Sequence, residues 1–441
     1  MNMNIASRRA AAWAGALPAA FATTSAFAQT STIDAADTAW ITTSTALVLM
    51  MTLPGLALLY AGMVRKKHVL GVMAQCVAAA MIVSVLWMVA GYSLTFVGGG
   101  AVIGSLDRFL LIGMQMDSVN DLAPNIPESL FAAFQMTFAV ITVALIAGSV
   151  ADRMKFSAFV LFSMLWLFLV YVPIAHWVWG GGFLGEWGLM DFAGGTVVHI
   201  NAGVAGLVAC LVLGNRRGYG AENMSPFDLS LAVIGTCLLW VGWFGFNGGS
   251  ALGAGGRGTM AILVTHLAAS MGAIGWMAAE WWTRGKPSIL GILSGAIAGL
   301  GTITPASGFV LPWHALVIGG TAGVVCFWAC TWLKQRLNYD DSLDVFGIHG
   351  IGGILGTIAT GIFAVGALSA TAENPAGLTG LLEGNAAQLQ TQVIGVAVTI
   401  AWCGVVTFIV LKIVDLMVGL RVSPDAERMG LDVTQHGEAL Q

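Results

Sequence analysis

Long apolar runs, each bounded by a few polar or charged residues, repeat along almost the whole chain. A helix crossing a bilayer needs about 20 apolar residues. Runs of that order lie at 39–63, 69–97, 126–150, 156–178, 194–214, 227–247, 259–282, 287–304, 312–334, 343–367 and 390–418. The pattern predicts eleven membrane-spanning helices joined by segments too short to fold as soluble domains. The first 28 residues read differently. Arg8 and Arg9 precede a weakly apolar alanine-rich stretch, and Ala26-Phe27-Ala28 supplies a small-x-small cleavage pattern. That predicts a signal peptide over 1–28, a membrane domain over 29–419 and a tail over 420–441.

Charge orients the predicted helices. With the mature N-terminus outside, Arg65, Lys66, Lys67, Arg153, Lys155, Arg216, Arg217, Arg284, Lys286, Lys334, Arg336, Lys412, Arg421 and Arg428 all fall inside, and Arg108 and Arg257 fall outside. This is the positive-inside bias, and one missed span would scramble the sorting downstream of it. The tail, with Pro424, Gly430 and mixed charge, then ends inside as a disordered or docking segment. An odd count also bears on symmetry. Two five-helix halves of opposite topology plus one extra helix make an inverted repeat, an arrangement that holds its substrate site near mid-bilayer.

Composition narrows the class. Of 441 residues, 57% are hydrophobic and only 9% charged, against about 25% charged in soluble domains. The net charge of −4 gives no sign of nucleic-acid binding. The 58 glycines suit close helix contact. All six cysteines (Cys76, Cys210, Cys237, Cys326, Cys330 and Cys403) sit in apolar runs and read as core residues, not as a disulfide or metal framework.

Against that background two histidines stand out. Asp-Phe-Ala-Gly-Gly-Thr-Val-Val-His-Ile-Asn-Ala-Gly (191–203) puts His199 inside the fifth apolar run, and Asp-Val-Phe-Gly-Ile-His-Gly-Ile-Gly-Gly (344–353) puts His349 inside the tenth. An ionisable group at membrane depth is costly and usually meets a partner or lines a pathway. Runs five and ten correspond between the two halves, so the imidazoles are expected to share one site. Three readings remain open: a hydrogen-bonded pair lining a narrow pore, two unrelated core histidines, and bis-histidine haem ligation.

Aromatic residues gather at the predicted outer ends. Trp177 and Trp179 precede Gly180, Gly181 and Gly182; Phe134 and Phe138 share a helix face; Trp243, Phe244, Phe246, Asn247 and Ser250 close the sixth run. Such residues act as interfacial anchors or core stripes, and Trp is also the best face for a cation. Asp191 precedes its helix as an N-cap or as electrostatic support for a cation, and the two roles are compatible. Asp344 is placed to cap the tenth helix.

The stretches Ile174-Ala-His-Trp-Val-Trp-Gly-Gly-Gly, 191–201, Gly242-Trp-Phe-Gly-Phe-Asn-Gly-Gly-Ser, 344–350 and Gly430-Leu-Asp together resemble the ammonium transporter (Amt/MEP/Rh) family, specifically its bacterial branch, over nearly the whole mature chain. The resemblance implies a non-enzymatic transporter of ammonium, ammonia and methylammonium in the cell inner membrane, with no cofactor. Trp179, Phe134 and Ser250 would recruit ammonium with support from Asp191. Phe138 and Phe246 would close the pore, and His199 and His349 would line it. It further implies a homotrimer and a cytoplasmic PII signal protein as a possible partner. No signalling domain follows the tail, which argues against sensor-type members. A membrane ammonium sensor and a haem protein are the alternative readings.

Overall fold

The computed structural model describes residues 33–371 and 374–440. The expected signal peptide at 1–28 lies outside them. Among the described residues the chain is helical, with two isolated bridges and no strand. That is what lipid demands of an open chain, because a helix satisfies its own backbone groups.

Among the described residues ten helices have the length and apolarity to span: α1 (Ala35–Met63), α2 (Lys66–Phe96), α3 (Glu128–Val150), α4 (Phe156–Glu186), α5 (Gly195–Leu213), α6 (Leu229–Gly249), α7 (Gly256–Arg284), α9 (Pro312–Leu337), α10 (Phe346–Phe363) and α11 (Ala386–Val418). Between α7 and α9 lies α8 (Ile289–Ile303), apolar but shorter. At about 1.5 Å per residue its 15 residues cover only some 22 Å. The backbone beyond it turns through 304–310, and every residue of that stretch is buried. Non-helical backbone at such depth survives only when protein covers it.

Caps fix the helix ends. Asp34, Asp228, Ser288 and Asn385 accept backbone N–H groups at the starts of α1, α6, α8 and α11. α10 is capped otherwise than expected. Asp341 Oδ2 accepts the Phe346 N–H at 2.7 Å, while Asp344 is engaged by the Lys334 ammonium. The helix begins at Phe346, which puts the acid five residues back within reach. α1 bends at Leu53–Pro54, where Leu53 leaves helical geometry, because Pro54 cannot continue the hydrogen-bond ladder.

Small residues set the helix spacing. A Cβ on Gly272 of α7 would lie 2.4 Å from Gly295 O of α8, and one on Gly203 of α5 would lie 2.3 Å from the Gly350 backbone of α10. Only glycine permits backbones this close.

One end of the bundle, the tail end, is ionic. Arg153 is fully buried and donates to Gly214 O, Ala151 O, Asp340 O and Ser342 Oγ. Arg216 holds Asp340 bidentately and also meets Asp152, which pairs with Arg65. The tail docks here. Glu427 accepts from Arg217 N and from Arg421, and Asp432 accepts the Gly71 N–H at 2.8 Å. Docking, rather than disorder, follows because both acids are buried with partners.

Candidate conduction site

α5 and α10 each start with a π-helical turn, Gly195–Ile200 and Phe346–Gly350, and each turn carries a histidine. Such turns widen the ladder and frequently mark functional positions. The α5 turn is held by Asp191. Its carboxylate accepts from Gly194 N, Gly195 N, Thr196 N, Thr196 Oγ1 and Val197 N. With its oxygens directed into the helix start, the carboxylate caps α5 from three residues before the N-cap Gly194 and leaves no free face toward a ligand.

The two imidazoles meet. His199 Nδ1 and His349 Nδ1 are 3.2 Å apart, with ring planes 13° from parallel. One nitrogen must donate and the other accept, so each ring is satisfied there without charge. His199 also lies flat against Trp243, whose Nε1–H is fixed by Thr304 Oγ1. His199 Nε2 is buried and has no protein partner. Both rings line a mid-bundle cavity of about 30 Å³ walled by Met51, Leu59, Tyr60, Ile141, Val198, Trp243, Phe246, Ile297 and neighbours. That is room for about one water-sized molecule. The two Nδ1 atoms meet directly, which leaves no gap between them for a haem iron.

At the end remote from the tail a second cavity, of about 260 Å³, is lined by Phe96, Leu122, Phe131, Gln135, Phe138, Val178, Trp179, Phe192, Ser250 and Leu252. Trp179 and Ser250 therefore face one space. Ser250 donates its hydroxyl proton to Phe246 O at 2.8 Å, which leaves its oxygen an acceptor. The Trp179 Nε1–H donates to Asp191 O at 2.8 Å, tying that ring to the loop before α5. Between the cavities stand Phe138 and Phe246, with ring centroids 4.4 Å apart. Phe138 borders the far-end cavity and Phe246 the mid-bundle one.

Phe134 is placed otherwise. It is fully buried, touching Phe138 edge-on at 5.0 Å and lying against the Gly249 backbone, and it does not line the cavity. Its face of α3 is taken by Phe131, Gln135 and Phe138. Sequence reasoning passed over Phe131 and Gln135, although their i, i+4, i+7 spacing with Phe138 marks one helical stripe. Phe192, next to the capping Asp191, was also missed.

A multi-span helical protein with a polar-mouthed recess, an aromatic partition and a largely apolar inner cavity faced by two paired imidazoles belongs to the class of membrane channels and transporters for small polar solutes. The Ammonium Transporter Family profile matches residues 39–440, and the chain belongs to that family. It is 49% identical over 402 residues to an ammonium transporter of Bacillus subtilis, covering 91% of this chain and 97% of that protein. It resembles the crystal structure of Saccharomyces cerevisiae Mep2 with a TM-score of 0.82 and 36% identity, over 89% of each chain. A solved sensor Amt protein is similar at a TM-score of 0.82 and 28% identity, over 91% of this chain and 98% of that one.

Proposed function

We propose that the chain carries ammonium nitrogen across the cell inner membrane by stripping the cation of its proton. A bare cation in an apolar passage pays several kcal/mol of lost hydration. Ammonium, unlike potassium, escapes that cost by becoming ammonia. The far-end cavity faces outside and recruits the ion: the Trp179 ring supplies a cation–π face and Ser250 Oγ accepts an N–H. Phe134 backs the site through Phe138, and Asp191 supports it by holding the turn that holds Trp179. Ammonia then passes Phe138 and Phe246 and is handed along the histidine pair, which offers it both a donor and an acceptor nitrogen. The proton crosses separately, through the imidazoles or through water, and transport is then electrogenic.

The observation that carries this reading is the direct 3.2 Å contact of two imidazoles in the wall of a cavity with room for one small molecule. Flux into proteoliposomes tests it. His199→Ala and His349→Ala are each expected to lower ammonium flux or admit potassium, and unchanged flux with unchanged potassium exclusion in both would refute it.

The same reading takes α1–α5 and α6–α10 as inverted halves with α11 as the extra helix. α8 then counts as the eighth of eleven crossings. Residues 1–28 are removed as a signal peptide, 29–419 form the membrane domain, and 420–441 lie in the cytoplasm. A homotrimer and docking of a PII signal protein at the tail end rest on the family resemblance. The likeness to a sensor Amt protein supports a second reading, a receptor that binds ammonium without moving it. Methylammonium uptake into cells lacking other carriers separates the two.

A further inference from the structure

Arg257 opens α7 at the far end, among the cations that the orientation places outside. A positive charge there works against recruitment of a cation, so its position needs a reason. Its guanidinium carbon lies 4.9 Å from the centroids of both Phe192 and Phe309. Those rings stand edge-to-face, 77° apart at 5.7 Å, and the guanidinium fills the notch between them. Arg257 Nε donates to Gly308 O at 3.0 Å. Gly308 presses on the Phe192 ring so closely that a Cβ there would sit 2.1 Å from it. The Phe192 N–H is bound in turn to Pro305 O at 3.0 Å.

These contacts join two segments far apart in sequence. Phe192 borders the far-end cavity, while Phe309 lies behind it, 5% exposed. One residue before Phe192, the Asp191 carbonyl holds the Trp179 indole. We propose that Arg257 is a positioning residue for ammonium recruitment: its guanidinium clamps Phe192, and so the 191–192 backbone, in the place that aims Trp179 into the cavity. It touches no substrate. Its own charge is spread over two aromatic faces and a carbonyl, which lessens its repulsion of an arriving cation.

This inference rests on the proposed recruitment by Trp179, and the experiment separates the two. Initial rates of methylammonium uptake are measured against concentration, in low and high salt, for Arg257→Met, Arg257→Lys, Phe309→Leu and Trp179→Leu in the full-length protein. Arg257→Met is expected to raise the half-saturation concentration about fivefold, the size of one lost cation–π contact, with the maximal rate little changed. Arg257→Lys should rise as well, because an ammonium cannot fill the notch with a planar face. Phe309→Leu, which lies off the cavity wall, reports the same effect if an Arg257 variant fails to reach the membrane. In a Trp179→Leu background, Arg257→Met should add nothing.

If Trp179→Leu raises the half-saturation concentration while the Arg257 and Phe309 variants do not, the positioning inference falls alone. If Trp179→Leu has no effect, the recruitment reading falls with it. A fall in half-saturation for Arg257→Met, erased by salt, would show that the charge acts by simple repulsion and would overturn the inference. A drop in maximal rate at constant half-saturation would reduce Arg257 to a folding role.

Discussion

Removing the Asp191 carboxylate is the perturbation whose size the structure specifies best. Five donors converge on it within six residues, four of them backbone N–H groups at the start of α5. In Asp191→Ala all five lose their acceptor. A hydrogen bond to a charged group contributes about 1.5–3 kcal/mol, but the donors share one carboxylate and entering water would recover part of the loss. A net cost of about 3–5 kcal/mol is therefore expected. For a chain of this size that corresponds to an apparent melting temperature lower by roughly 3–5 °C. Thermal unfolding of detergent-solubilised protein reads it, and ammonium uptake should fall in parallel because the same turn carries His199. Asp191→Asn discriminates between roles. As a cap, Asn keeps one oxygen that can accept two of the five donors and should lose about half as much. As a source of negative charge for the cation, Asn would transport as poorly as Ala while remaining stable. Wild-type melting in Asp191→Ala would refute the capping argument outright.

At the glycine contact between α5 and α10, Gly203→Val would drive the Gly350 backbone away and part the histidines; uptake should be lost although the protein still reaches the membrane, and wild-type uptake would contradict the close approach. Asp340 supplies a pH prediction. Burial pushes its carboxyl up, but the hydrogen bonds and charge of Arg216 outweigh it and hold the group below its ordinary 3.8. The stabilisation is complete above the unfolded-state value and is lost as pH falls through the lower folded-state value. Melting temperature should therefore drop on acidification below about pH 4, and Asp340→Asn should lower the neutral-pH value and flatten that drop. Asp341, whose carboxyl burial pushes up, works in the opposite sense, so the Asp340→Asn comparison is needed to isolate the effect.

Helix bounds were legible because apolar length is nearly the whole signal in a membrane. α3, α5 and α9 begin within two residues of the expected positions. The end of α8 was legible too, since Thr304 precedes Pro305 and is biased away from helix. The pairing of His199 with His349 was expected from the cost of burying each imidazole in an apolar run. Rotation about a helix axis was less accessible. Phe134 and Gln135 are neighbours about 100° apart on α3, and sequence alone does not say which faces the cavity. Asp341 rather than Asp344 caps α10 because the helix starts three residues later than its apolar run. The notch that holds Arg257 was not legible at all, because Phe192 and Phe309 are brought together only by the turn after α8.

The claim beneath all of this is that the nitrogen crosses as a neutral molecule. Currents evoked by ammonium and by potassium pulses across a membrane reconstituted with the wild-type protein test it most directly. A saturable ammonium response with no potassium response at a hundredfold higher concentration (about two decades) is the predicted result. Potassium currents of comparable size would mean that a bare cation fits the passage, and the deprotonation account would be wrong.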